Sequence, residues 1–140
     1  MQDLHNNIHP LRCISPVSEA GTTALVGQII DRQGYESLEY IIATGSIADA
    51  DATFTILLEE GDDSGLSDAA AVANENLLGT EVLAAFQFDD DNETRKLGYV
   101  GTKRYTRLTI TPVANASAAV ICAVAILGNP AIAPTANPPV

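Results

Sequence analysis

An apolar side chain at every second position is the strongest instruction in this sequence. In Thr53–Leu58, Phe54, Ile56 and Leu58 fall on one face, and Thr53 and Thr55 on the other. That period belongs to a half-buried strand, not to a helix. It recurs between Gly34 and Gly45, where Leu38, Tyr40 and Ile42 alternate with Ser37 and Glu39. The same alternation places together Phe86 and Phe88 in Val82–Phe88, Leu97 and Tyr99 in Lys96–Val100, and Thr106, Leu108 and Ile110 in Lys103–Thr111. Gln28–Arg32 and Arg12–Ser15 are shorter candidates. Between these runs stand Gly, Asn, Asp and Pro, the residues that turn a chain. About seven or eight strands so punctuated predict an all-β fold, a single β-sandwich or jelly-roll-like domain.

The last apolar run is of a different kind. Val120, Cys122, Val124 and Ile126 share one face, yet Ala119, Ile121, Ala123 and Ala125 on the other are apolar too. A strand apolar on both faces lies inside a sheet whose two sides are covered, or against another subunit. The run ends at Gly128, well short of the about 20 residues a membrane-spanning helix needs, so no membrane is expected as a partner.

Three segments depart from the alternation. Gly61–Gly65 is turn chemistry, and Leu66–Val72 has a helix-like composition that Ser67 or Asp68 could cap. The expectation is a loop of about 20 residues carrying one short helix, longer than loops usually are unless they serve a function. Residues 129–140 hold four of the seven prolines. Proline lacks an N–H and fixes φ, which predicts an extended C-terminal arm. Residues 1–11 show no strand alternation and predict an N-terminal arm, leaving 12–128 as the domain. Leu4, Ile8 and Leu11 on one arm and Ile132 on the other are apolar side chains suited to anchoring on a partner.

Charge excludes several functions and singles out one segment. With 18 acidic and 7 basic residues the net charge is −11. Nucleic acid, whose phosphates must be neutralised, is therefore a poor partner. All the acids lie at or before Glu93, whereas Arg95, Lys96, Lys103, Arg104 and Arg107 cluster beyond it. Gly101-Thr102 could fold this cluster into a basic hairpin. It either pairs internally with Glu59, Glu60 or the 89–93 acids, or meets an acidic neighbour.

No reactive constellation is visible. Both histidines, His5 and His9, fall in the N-terminal arm, away from the rigid frame that catalysis requires. Asp89–Glu93 fails the calcium-loop pattern because its sixth position is Thr94 where Gly is needed; it reads as a turn, with no metal or cofactor expected. Cys13 and Cys122 match no zinc or redox spacing and are expected to be free, structural thiols. The opening residues lack the basic and apolar regions of a secretory signal, so synthesis in a cytoplasm is expected.

Three stretches, Gly27–Tyr40, Phe54–Ala71 and Arg95–Leu108, resemble a group of small structural proteins encoded among the head genes of tailed bacteriophages and prophages. The resemblance spans about residues 24–128 and contains no catalytic signature. It implies a non-enzymatic virion protein, most like a capsid decoration (cement) protein, that sits on the capsid surface and binds the major capsid protein. It also implies self-association, as trimers around the symmetry axes of the shell. The Leu4, Ile8, Leu11 and Ile132 anchors and the 95–107 cations would then face the shell. Two alternatives remain open: a head–tail joining or tail protein of the same virion, and a sugar-binding β-sandwich. The second would rest on Tyr35, Tyr99 or Tyr105 in a chain with no Trp and 5% aromatic residues.

Overall fold

The computed structural model describes residues 3–139, so Met1, Gln2 and Val140 of the two expected arms lie outside the described residues. Its strands are β1 (Ile8–Glu19), β2 (Leu25–Val26), β3 (Ile30–Asp31), β4 (Tyr35–Ile47), β5 (Thr53–Gly61), β6 (Ala70–Ala71), β7 (Leu77–Leu78), β8 (Phe86–Gln87), β9 (Thr94–Tyr99), β10 (Tyr105–Val113) and β11 (Ala119–Pro130). One four-residue helix, α1 (Glu81–Ala84), stands among them. Sheet A runs β1-β11-β4-β9-β7, and sheet B runs β2-β10-β5-β6, with β3 added on β10 and β8 on β5. Every pairing is antiparallel. The fold is a two-sheet β-sandwich, as the alternation requires.

The inward positions form the core. Leu38, Tyr40 and Ile42 of β4, Phe54, Ile56 and Leu58 of β5, Leu108 and Ile110 of β10, and Ile121, Ala123 and Ala125 of β11 are all buried. Phe54 and Phe86 stack with centroids 4.7 Å apart. Tyr40 from sheet A and Thr106 from sheet B are both fully buried, and their hydroxyls meet at 2.7 Å. That bond satisfies two polar groups that would otherwise be stranded between the sheets. Tight packing also explains Gly27, where a Cβ would lie 2.5 Å from the Leu108 carbonyl oxygen and 2.7 Å from the Cys13 sulfur.

Several local expectations are corrected. The N-terminal arm is shorter than the expected 1–11, because Ile8–Leu11 are already in β1, with Ile8 opposite Gly128 and Leu11 opposite Ala125. His9, Leu11 and Cys13 do alternate inward, but Pro10 and Pro16 disguise the run. Proline is tolerated here because β1 is an edge strand, and Pro16 lies in the irregular register between Ile14 and Val17. At the other end β11 continues to Pro130, so the C-terminal arm starts later than 129.

The helix expected over Leu66–Val72 is absent. Asp63 and Asp68 take the nearby backbone N–H groups of Gly65 and Ser67, and of Asp62 and Asp63, holding a turn instead. Helix α1 occupies Glu81–Ala84, overlapping the start of the expected Val82–Phe88 strand, and Thr80 caps it by accepting from the Leu83 N–H at 3.0 Å. The helix has a purpose at the sheet edge. Between β6 and β8, the Leu58 N–H of β5 has no strand partner and donates to the Glu81 carboxylate at 2.7 Å.

The basic segment is not a hairpin either. Its two strands belong to different sheets, β9 to sheet A and β10 to sheet B, so Gly101-Thr102 forms a corner between layers. Arg32 braces that corner by donating to the Gly101 carbonyl at 2.8 Å and to the Lys103 carbonyl, with its guanidinium 5.3 Å over the Tyr99 ring.

Candidate functional site

Antiparallel pairing of β1 with β11 carries the beginning and the end of the chain to the same pole of the sandwich. The residues after β11 then turn back over the opening segment. The Ala131 N–H donates to the Gly34 carbonyl at 2.8 Å, and the Thr135 N–H donates to the Asn6 carbonyl at 3.0 Å. The Thr135 hydroxyl adds a bond to the Ile8 carbonyl at 2.6 Å. The described part of the tail is thus strapped to the N-terminal segment, itself folded by Asp3, whose side chain accepts from Asn6. These bonds hold the Asp3 carboxyl below the usual carboxylate range.

At this pole Leu4 is 69% exposed and Ile132 is 84% exposed. They come from opposite ends of the sequence, and neither lies among the buried core residues. An open groove of about 740 Å³ runs beside Leu4, lined by Asn7, Ile8, Ser37, Gly128 and Asn129. Ile8 is half-buried in β1. Leu11, expected as an anchor, packs against the core and is not a free one.

The cationic candidates divide differently. Arg95 pairs with Asp90 at 2.8 Å and also with Glu93. Lys103 pairs with Asp62, Arg104 with Asp31 at 2.7 Å, and Arg107 with Glu59 at 2.8 Å, directly across the β10–β5 ladder. Arg104 holds the Asp31 carboxyl below its ordinary value. Internal pairing therefore absorbs four of these five cations. Lys96 is the exception: it stands exposed on the outer face of sheet A, with no ion pair among the described residues.

The three tyrosines of the sugar-platform alternative are engaged within the chain. Tyr99 is buried, donates to Glu60 and accepts from the Lys103 N–H at 3.0 Å. Burial, and then Glu60, push its hydroxyl up. Tyr35 stacks on His9 at 5.6 Å, and Tyr105 lies under the Arg104 guanidinium at 4.9 Å. His9 is 6% exposed and its Nδ1 has no partner among the described residues. Asp89–Glu93 makes a turn, with Asp91 accepting from the Ile47 N–H at 2.8 Å and Asp90 from the Gln87 N–H at 2.8 Å. Among the described residues no group of three His, Cys, Asp or Glu side chains converges as a metal site, and no helix is long and apolar enough to cross a membrane.

Sequence reasoning missed the Thr135 strap and the return of the tail. A lone threonine between prolines carries no signal for a contact with residues far away in sequence.

No protein-family model matches the chain, and no curated protein matches it. Among solved structures it is similar to the SPBc2 prophage-derived protein YomS, at 12% identity and a TM-score of 0.46, covering 84% of this chain and 94% of that one. It is also similar to the xylan-binding module CBM15, at 12% identity and a TM-score of 0.49, covering 94% and 96% of the two chains. A third similar structure is the CBM22-1 xylan-binding domain of Paenibacillus barcinonensis Xyn10C, at 13% identity and a TM-score of 0.42, covering 86% of each chain. At such identities the likeness is one of fold alone.

Proposed function

We propose that this chain is a non-enzymatic virion protein that binds the outer surface of a tailed-phage capsid and stabilises contacts between capsomers. The observation that carries this reading is the pole at which both chain ends are tied together while Leu4 and Ile132 stay in solvent. Two large aliphatic side chains held exposed on a braced segment are suited to insertion into a partner surface, because their ordering entropy is largely spent before binding. The resemblance of Gly27–Tyr40, Phe54–Ala71 and Arg95–Leu108 to head-gene structural proteins supplies the setting, and the major capsid protein is the partner it suggests. The shell would bind the pole, with the β-sandwich as the rigid body behind it. In this reading the basic segment of β9 and β10 serves the fold, since its ion pairs are internal.

Shells lacking this chain test the proposal when mixed with the purified protein and counted for bound copies. Wild type should bind to saturation. Leu4→Asp and Ile132→Asp should each weaken binding about tenfold or more, the scale of one large aliphatic side chain losing its burial. Both variants should keep the β-sheet circular dichroism of the parent. Failure of the wild-type protein to bind shells would overturn the function, and unchanged binding by both variants would overturn the role of the pole.

A further inference from the structure

One recess departs from the sign of the molecule. It opens at the corner between the two sheets, has a volume of about 200 Å³, and is lined by Arg32, Gln33, Tyr35, Thr102 and Arg104. In a chain of net charge −11 no acid lines it. The backbone puts the two arginines side by side: β3 pairs with the start of β10, and the next N–H along, that of Arg32, donates to the Arg104 carbonyl at 3.1 Å. Like charges on facing residues repel. Asp31 answers the charge of Arg104 at 2.7 Å, but Arg32 forms no ion pair among the described residues. The Tyr99 ring under Arg32 donates its hydroxyl to Glu60, and that acid makes no ion pair with Arg32 either.

Both guanidinium groups are half committed. Arg32 donates through Nε to the Lys103 carbonyl and through Nη2 to the Gly101 carbonyl, with its plane held over Tyr99. Arg104 donates through Nε and Nη2 to the two oxygens of Asp31 and lies over the Tyr105 ring. Nε and Nη2 are one edge of the guanidinium. The other edge, Nη1 with the second proton of Nη2, has no partner in either arginine among the described residues. A carboxylate can bind such an edge through two parallel bonds. The existing bonds and rings already hold each side chain in place, so little rotamer entropy remains to be lost on binding.

The recess adjoins the pole that carries Leu4 and Ile132. The Ala131 N–H bonds the Gly34 carbonyl, so Ile132 follows that contact by one residue and Gln33 precedes it by one. Tyr35, on the recess wall, faces Pro130 in the β4–β11 register. We propose that the recess takes one carboxylate of the partner, an Asp or Glu side chain on the capsid surface, shared between the free edges of Arg32 and Arg104. The partner is that of the capsid-binding reading, on which this proposal rests. Two arginines less Asp31 leave a single positive charge, which matches a carboxylate; a phosphoryl group brings about −1.5 to −2. The incoming acid also offsets the repulsion between the two arginines. Aliphatic Leu4 and Ile132 could enter many apolar hollows, whereas a charge placed in this recess fixes the register of docking. The acids elsewhere on the chain oppose an acidic partner only at close quarters, because screening cuts their reach to about 8 Å at physiological ionic strength.

A titration without shells and a binding assay with them test the site. Followed by NMR on the isotope-labelled full chain, N-acetylglutamate amide should shift the Nε–H signals of Arg32 and Arg104 and leave those of Arg12, Arg95 and Arg107 in place. Its neutral analogue, N-acetylglutamine amide, should shift none of them. Thr102→Glu tethers a carboxylate at the rim and should suppress the response, whereas Thr102→Gln should keep it; Thr102 is exposed, so neither change disturbs the core. On shells, Thr102→Glu should bind about tenfold or more weakly than wild type, because two acids would then compete for one recess. Thr102→Gln should bind as wild type does. Absence of a shift at Arg32 and Arg104 would overturn the site. Inorganic phosphate binding about tenfold tighter than the glutamate probe would make it a site for a free oxoanion and overturn the partner, as would equal shell binding by the two Thr102 variants. Failure of the wild-type protein to bind shells would overturn the capsid reading and this partner with it, while the titration judges the carboxylate site by itself.

Discussion

Removal of the Tyr40 hydroxyl is the sharpest probe of how the two sheets are joined. Tyr40→Phe keeps the ring in place but leaves the Thr106 hydroxyl, fully buried, without its 2.7 Å partner. A buried polar group stripped of its bond destabilises by about 1–3 kcal/mol. Thr106→Val strands the Tyr40 hydroxyl in the same way and should cost a similar amount. The double variant removes both polar groups and should lie within about 1 kcal/mol of wild type, since replacing both partners by apolar groups is nearly neutral. A domain of this size is stable by about 5–15 kcal/mol, so each single change is measurable. Urea unfolding followed by circular dichroism reads it directly. With a slope of about 1–3 kcal/mol per molar, the single variants should lower the midpoint by about 0.3–3 M. Strict additivity in the double variant, or single variants indistinguishable from wild type, would show that this hydrogen bond does not link the sheets energetically.

Two further outcomes follow from the edge of sheet B and from the acidic loops. Glu81→Ala removes the acceptor of the Leu58 N–H and should destabilise by about 1–3 kcal/mol, whereas Glu81→Gln, which keeps an acceptor oxygen, should recover most of it; urea midpoints compare the two. The Asp31, Asp63 and Asp68 carboxyls lie below their ordinary value of 3.8, Asp31 through Arg104 and the other two through backbone N–H donors. The stability they contribute is therefore fully present above pH 3.8 and lost as pH falls through their lower folded values. Asp68→Asn should flatten that acid limb in a pH series of thermal melts, and an unchanged limb would remove Asp68 from the explanation.

The period-two alternation makes the interior legible from the sequence. The faces assigned to Leu38, Tyr40 and Ile42, and to Phe54, Ile56 and Leu58, are the buried faces. The turn at Asp89–Glu93 and the two free cysteines also follow from residue chemistry. Misplaced elements have physical reasons. Pro10 and Pro16 hid a strand that tolerates proline only because it lies at an edge, a tertiary fact. Alanines 69–71 suggested a helix by propensity, but two aspartates captured the backbone first. The basic segment looked like a hairpin because a corner between two sheets and a turn within one use the same small residues. Of the candidate site, Leu4 and Ile132 were legible as apolar side chains in otherwise polar or proline-rich segments, while their shared pole depends on the β1–β11 register and on Thr135, neither of which leaves a local trace.

Counting copies of this chain in purified particles by quantitative mass spectrometry, relative to the main shell protein, tests the capsid reading most directly. A decoration protein should be present in a number comparable with the capsomers of the shell. One ring's worth per particle would mark a connector or tail component instead, and absence from the particle would contradict a virion role.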